Sequence, residues 1–426
     1  MPPKLRVALI NRQDTNDVGV LSGYPYFMAR ALERQSVCIT PIGPVDSTWM
    51  KIGRYLSRTS SHLIKRRYDW THSIVGSREL GGWFSKRLSR SEYDVIFAPV
   101  ASSEIAYLKT SVPIVYLTDM TFRAASSYYA SFSNLLPFTA AEGNLIEKRA
   151  IRNAAKIVVP SDWTAQSLRE DYLCEPDKVE VVSFGANLDD PPSRDEALRH
   201  HNLNCCKLLL LGVNWDRKGG PLALEILKSL LKRGLKAELL VCGCTPPPGI
   251  SHSSMHVLPF LNKNKPDEAR QLRQLLLTST FLLVPSLAEA WGLVFCEASA
   301  CGLPSITRAT GGIPSVVRNG INGLCLSPGA AAEQYSDQII DLFQNPAQYR
   351  SLQLSSRSEY EQRLNWNVWA SRMVEIFDSI KTSNPTLRRT PRPSNARGDF
   401  SSLAPDCDTM KADPNGKPRD HRTARQ

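Results

Sequence analysis

Short apolar runs recur along the chain, and most are separated by stretches whose apolar residues fall at helical spacing. Residues 4–10 read as a buried strand, a polar loop holding Gly19 and Gly23 follows, and residues 26–32 read as a helix. Strand, glycine loop, helix is how open α/β folds begin. Apolar runs at 94–98, 113–117, 156–159 and 179–183 predict further strands, with helices over 142–155 and 162–172. Residues 189–195, with Pro191 and Pro192 among acidic side chains, read as a linker. The pattern then restarts with a strand at 207–211, a helix at 221–233, a strand at 237–241, a helix at 267–278 and a strand at 281–284. A helix over 293–301 is stopped by Gly302 and Pro304. Alternating short strands and helices predict parallel sheets covered on both faces. The folded part therefore reads as two α/β units followed by a helix at 366–379. Ligands of such sheets lie in a cleft at the strand carboxyl ends.

The 426 residues are 42% hydrophobic and 22% charged, an ordinary globular composition with length enough for large cores. No stretch reaches the roughly 18 to 20 unbroken apolar residues of a membrane-spanning helix. Lys4 and Arg6 lead into an apolar run too short for a signal peptide, so the expected compartment is the cytoplasm. Ten cysteines are too dilute for a disulfide scaffold, and those in apolar runs (Cys242, Cys296, Cys325) read as reduced, buried thiols. Cys242 and Cys244 with His252 and His256 loosely imitate zinc spacing. Cys242 ends an apolar run, however, and prolines at 246–248 separate the pairs, so no metal site is expected.

The net charge of +11 is unevenly placed. Residues 51–90 hold ten Lys/Arg against Asp69 and Glu79, and residues 381–426 hold ten against five Asp. The first segment interleaves its cations, Lys65, Arg66 and Arg67 among them, with Tyr55, Leu56, Leu63, Ile64, Tyr68, Trp70, Trp83 and Phe84. That mixture suits an anionic membrane surface, where each basic residue contributes about 1 kcal/mol. A solvated basic face is the other reading. A nucleic-acid-binding domain would spread its charge over a whole face with aromatic platforms, so nucleic acid is not an expected partner. Residues 381–426 bear too few apolar side chains to offset ordering entropy and read as a disordered basic tail.

Residues 284–305 carry the densest chemical signal. Glu289 stands in the loop after a strand, and Glu297 lies about one turn into the next helix. The helix start around Trp291, Gly292, Leu293 and Val294 offers backbone N–H groups and a positive dipole end, a seat for an anion such as a diphosphate. Gly292 lets a ligand approach the backbone closely. Two carboxylates in different surroundings can divide the labour, one meeting a sugar ring and the other ribose hydroxyls.

This run resembles the Glu-x7-Glu signature of retaining glycosyltransferase family 4, within the GT-B superfold, and the resemblance extends from residue 5 to about 380. Residues 18–25 resemble that family's glycine loop. Residues 142–150 with 159–163 resemble its helix and Val-Pro-Ser strand end, and 178–187 its entry to the second domain. Residues 212–219 resemble its phosphate loop, and 311–314 with 319–323 its Gly-Gly-x-Pro and Asn-Gly segments. Matches in this order carry what any one of them would not.

The resemblance implies an α/β GT-B fold of two Rossmann-like, doubly wound domains facing each other across a cleft. The acceptor domain would be 1–188 and the nucleotide-sugar domain 189–365, with a helix at 366–380 crossing back and the tail at 381–426. It implies a retaining, metal-independent enzyme with no cofactor, moving a sugar from a nucleotide-diphosphate sugar to a glycan, lipid-linked or small-molecule acceptor. Glu297 would hydrogen-bond the ribose and Glu289 would contact the transferred sugar. Lys218, with Arg217 beside it, would neutralise the diphosphate, and Gly23 would bring the first-domain loop to it. Trp291, Gly292 and Leu293 would cradle the donor, and residues 259–263 would meet the base. Three departures stand out. Val213 replaces the arginine usual after the first glycine of the phosphate loop, and Ser315 replaces a frequent glutamate. The family's His-Asp pair near the acceptor is Thr118-Asp119 here, so Asp119 reads equally as an acceptor contact or as strand-end structure. A GT-B phosphorylase or epimerase, or an inactive membrane-associated binding protein, are the alternatives. Peripheral contact with an anionic membrane, at the inner face of the plasma membrane, completes the expectation.

Overall fold

A computed structural model describes residues 5–199 and 204–383. They build two six-stranded sheets, every strand pairing being parallel. The first holds β1 (Arg6–Ile10), β2 (Cys38–Ile42), β3 (Val95–Pro99), β4 (Ile114–Leu117), β5 (Lys156–Val159) and β6 (Val179–Val181). Its order is β2-β1-β3-β4-β5-β6. The second holds β7 (Cys206–Leu211), β8 (Ala237–Cys242), β9 (Met255–Leu258), β10 (Phe281–Val284), β11 (Ser305–Arg308) and β12 (Gly323–Leu326). Its order is β12-β11-β10-β7-β8-β9. The α/β class expected from the sequence is the one adopted. Each sheet reverses its strand order once, between β1 and β3 and between β7 and β10, and open α/β sheets bind ligands beside such reversals. The glycine-bearing loops after β1 and β7 both fall there.

The central strands are apolar on both faces because helices cover both: Val7, Leu9, Val95, Phe97, Leu208, Leu210, Leu282 and Val284 are fully buried. Four strands were not expected from the sequence, namely β2, β9, β11 and β12. Three of these are sheet edges with mixed side chains, and β2 tolerates Pro41 only because an edge strand need not donate on both sides. Cys325, expected to be buried, is half-buried because β12 is such an edge. The helix expected over 142–155 is Pro137–Asn153. It starts earlier because Pro137 occupies the first turn, where a missing N–H costs nothing. The strand expected over 179–183 stops at Val181. The helix expected over 366–380 runs Trp366–Ser383, and the tail beyond it lies outside the described residues.

The chain crosses between the sheets after Val181 and returns near Arg363. Phe184 sits at this crossing with its ring 5.3 Å from Tyr24, 6.0 Å from Trp291 and 5.7 Å from Trp366. The Asn187 amide donates to Ser22 O at 2.7 Å and accepts from Trp366 Nε1 at 2.9 Å. The helix Trp366–Ser383 packs on the helix Tyr24–Arg34 and sets Trp369 and Phe377 against Phe97 of β3, ring centres 6.0 and 5.8 Å apart. Ion pairs Lys381–Asp94 (3.2 Å) and Arg372–Glu180 (3.0 Å) flank it. The last helix thus completes the core of the first sheet.

The basic segment at 51–90 divides in two. Helix Thr48–Leu63 buries only Gly53, and Ile52, Tyr55, Leu56, Leu63 and Ile64 are exposed beside Lys65 and Arg66. Helix Ile74–Leu88 is instead a core helix through Leu80, Phe84 and Leu88. Tyr68 and Phe84, grouped with the surface aromatics in the sequence reading, are therefore buried. Arg67 is half-buried, its backbone held between Asn134 and Leu136. No helix among the described residues is long and apolar enough to cross a membrane.

Candidate functional site

A cleft of about 750 Å³ opens at the carboxyl ends of both sheets, and the charged side chains of the β7 and β10 loops meet in it. The β7 loop turns tightly because Lys218 N donates to Asn214 O (3.0 Å) and Arg217 N to Asn214 Oδ1 (2.8 Å). Gly212 leaves room for the Lys218 stem, since a Cβ there would lie 2.6 Å from Lys218 Cγ. Lys218 is buried, and its Nζ donates to Glu289 Oε2. Arg217 Nη1 reaches the same oxygen at 3.2 Å and Ala288 O at 3.0 Å. Burial of a lysine requires a counter-charge, and Glu289 supplies it. The two loops are also tied through the backbone, Leu287 N donating to Arg217 O at 2.8 Å.

Gly292 leads into the helix Leu293–Ala300 with φ 92° and no side-chain cap. That conformation suits glycine, and a Cβ would meet Phe295 at 2.6 Å and Glu289 Cγ at 3.2 Å. Glu297 is 1% exposed yet borders the cleft. Its Oε1 accepts from Lys263 Nζ, while Oε2 has no partner among the described residues. A buried carboxylate oxygen left that way can accept a hydrogen bond from a ligand hydroxyl. Residues 260–264 line the same wall. In the sequence Lys263 reads only as part of the base-facing run, because nothing in its spacing from Glu297 announces the pair.

The opposite wall comes from the first domain. Asp119, at the end of β4, is half-buried in it; burial pushes its carboxyl up to about 6, and Glu289 across the cleft adds to the effect. Thr118, where the family pattern has histidine, turns its hydroxyl to Met120 O. Val18, Gly19 and Ser22 of the glycine loop line the cleft, and Gly23 stands directly behind them. It is buried with φ 84°, a Cβ there lying 3.0 Å from Val18 O and 3.4 Å from Asn187 Nδ2, and it turns the loop into the helix Tyr24–Arg34. Behind this wall Asp69 Oδ2 meets His72 Nδ1 at 2.7 Å, and Tyr116 donates to Glu147 Oε1 at 3.0 Å. Burial pushes Glu147 up to about 7, with His72 opposing. Lys65, Arg66 and Arg67 stand outside the cleft. Cys242 is buried with Sγ directed at Pro259 O (3.6 Å), whereas His256 is exposed on β9.

Residues 28–190 match the family Glycosyltransferase Family 4, and residues 207–359 match Glycosyl transferases group 1. Similar curated proteins include the D-inositol 3-phosphate glycosyltransferase of Nocardiopsis dassonvillei, 24% identical over 289 residues, or 64% of this chain and 66% of that protein. The enzyme of the same name from Corynebacterium aurimucosum is 25% identical over 321 residues, 70% of this chain and 74% of its own length. In fold the chain is similar to sucrose-phosphate synthase from Thermosynechococcus elongatus (TM-score 0.63, 17% identity), over 89% of this chain and 100% of that one. It is also similar to Anabaena Alr3699/HepE in complex with UDP and glucose (TM-score 0.59, 14% identity), over 88% and 100% respectively.

Proposed function

The chain belongs to the glycosyltransferases of family 4 and group 1, and we propose that it moves a sugar from a nucleoside-diphosphate donor to an acceptor, retaining the anomeric configuration and needing no metal ion. The observation that supports this reading is the meeting of Lys218, Arg217, Glu289, Lys263 and Glu297 beside the strand reversal of the second sheet. As the bond from the sugar to the diphosphate lengthens, negative charge grows on the leaving oxygens. Lys218 and Arg217 turn from Glu289 to that charge and supply the share a divalent ion has in other enzymes. Glu289, released from part of its pairing, faces the electron-poor sugar. Glu297 takes a ribose hydroxyl on its second oxygen, and the helix opening at Leu293 receives a phosphate oxygen. Asp119 contacts the acceptor from the first-domain wall.

Incubation with a panel of nucleotide sugars tests this, with UDP-glucose, held by the Anabaena neighbour in another crystal, and inositol phosphates as first choices. One nucleoside diphosphate should raise thermal stability. The product should keep the donor's anomeric configuration by NMR, at a rate unaffected by chelators. An inverted product overturns retention, and loss of rate on chelation overturns metal independence.

The acceptor, on this reading, is met at an anionic bilayer. The exposed apolar side chains of helix Thr48–Leu63 lie among exposed Lys51, Arg54, Arg58, Lys65 and Arg66, a surface complementary to anionic lipid. Changing Lys65, Arg66 and Arg67 together to Glu should reduce sedimentation with phosphatidylserine vesicles and leave donor hydrolysis unchanged. Wild-type binding should weaken with salt, screening acting over about 8 Å at physiological ionic strength. Undiminished sedimentation of the triple variant overturns the membrane reading.

A further inference from the structure

We propose that Tyr128 is a positioning residue: its hydroxyl latches the first domain onto the loop that carries Glu289, so that the loop takes its working shape only when the cleft is closed. This rests on the reading of Glu289 as the group that faces the sugar. Tyr128 ends the short helix Phe122–Tyr128 of the first domain, its ring 5.0 Å from Trp163 and 5.2 Å from Tyr129. Its hydroxyl crosses to the second domain, accepts the Glu289 backbone N–H at 3.0 Å and meets Thr310 Oγ1 at 2.7 Å. Where the Thr310 hydroxyl spends its one proton on Leu287 O, the phenol gives its own proton to Thr310. The Thr310 hydroxyl then donates towards Leu287 O at 3.5 Å. One phenol from the opposite domain thereby braces residues 287–289 at both ends.

The backbone around the latch is shaped for it. A Cβ at Gly311 would lie 2.6 Å from the Tyr128 hydroxyl, and one at Gly312 would lie 1.8 Å from Ala290 O and 3.1 Å from Ser161 Cβ. The two glycines therefore let the first domain come this close. A second contact lies beside them. Asp162 N donates to Ser315 Oγ at 3.0 Å, and Ser315 Oγ donates to Asp162 Oδ2 at 3.0 Å. The glutamate frequent at position 315 in the family would set a carboxylate against Asp162, whereas serine closes the contact.

Fixing the Glu289 amide fixes the rotation of its peptide and hence the direction from which its carboxylate leaves the backbone. Separation of the domains returns the phenol and the Glu289 amide to water, and the loop then keeps only the ties of its own domain, Leu287 N to Arg217 O at 2.8 Å and Gly312 N to Glu289 O at 3.1 Å. Closure and placement of the carboxylate are then one event, the kind of coupling by which a lid completes a catalytic arrangement.

Tyr128→Phe keeps the ring on Trp163 and removes only the hydroxyl. We expect kcat to fall about tenfold, the order of one hydrogen bond, while donor KM and the affinity for nucleoside diphosphate stay within about twofold. Thr310→Val, which leaves the Tyr128 ring packing intact, should lower kcat in the same direction. The double variant should be no worse than Tyr128→Phe, and Thr310→Ser should retain wild-type kcat. Thermal unfolding of each variant separates lost folding from lost positioning. Wild-type kcat in Tyr128→Phe, or a higher donor KM at unchanged kcat, overturns the inference. Glu289→Gln is the reference: wild-type turnover in it overturns both the role of Glu289 and its positioning, whereas loss of turnover there with a silent Tyr128→Phe overturns the positioning alone.

Discussion

Carboxylates on the two sides of the cleft are held in opposite ways. In the second domain Glu289 and Glu297 each accept from a lysine, Lys218 and Lys263. In the first, Asp119 and Glu147 have no salt bridge among the described residues, and burial pushes them up to about 6 and about 7. Other first-domain carboxylates are paired, buried Glu104 with Arg12 at 3.6 Å and Asp69 with His72; burial works against the charge of Asp69, but His72 holds it below the usual carboxylate range. The difference separates two kinds of readiness. A paired site can exchange partners when an anionic ligand arrives, because its cations are already in place and already desolvated. An unpaired carboxyl near neutrality can instead donate or accept a hydrogen bond as its proton comes and goes, which suits contact with hydroxyls.

Breaking a second-domain pair should have the largest effect. Lys218→Ala leaves Glu289 with only Arg217, and turnover should fall about 100- to 1,000-fold, the range for losing a preorganised transition-state donor. Wild-type turnover in this variant would remove the pairing from catalysis. Glu297→Ala should be next. Nucleotide affinity by calorimetry should drop by about 1.5 to 3 kcal/mol, the value of a charge-assisted hydrogen bond, with the fold intact. Unchanged affinity for every nucleoside diphosphate takes Glu297 out of the site.

The first-domain side predicts pH effects. With Asp119 at about 6, kcat/KM for acceptor should decline as pH falls through that value, and Asp119→Asn should lose this acid limb. An acid limb that survives the substitution belongs to another group. The smallest effect concerns Glu147. Its folded pKa of about 7 stands above the ordinary 4.5, so its favourable term is complete below about pH 4.5 and is lost as pH rises through 7. Glu147→Gln should therefore raise Tm at pH 8 by about 2 to 5 °C and give no gain at pH 4.5. An equal gain at both values would point to packing rather than charge.

Much of this was legible in the sequence, for physical reasons that also mark where legibility stopped. Strands buried on both faces announce themselves as unbroken apolar runs, so β1, β3, β7 and β10 were found, whereas mixed edges such as β2 and β9 were not. Lys218, Glu289 and Glu297 stand in short loop and helix-start segments with a recognisable spacing. Tyr128, Lys263 and the Tyr116–Glu147 contact join residues from separate elements, and spacing along the chain holds no trace of them. The exposed aromatics of 51–90 were only partly right. Basic residues surround both a surface helix and a core helix there, and charge alone does not separate the two.

The return of the last helix to the first sheet has a consequence for synthesis. On the ribosome Phe97 emerges about 270 residues before Trp369 and Phe377, the rings that cover it. At about 5 to 20 residues per second the nascent first sheet waits roughly 15 to 55 s with one face only partly covered, by the helix Tyr24–Arg34. During that interval Phe97 and the buried side of helix Tyr24–Arg34 form a sticky surface that only the helix Trp366–Ser383 can seal. A messenger truncated before Trp366 would therefore yield an aggregating polypeptide rather than a smaller working domain.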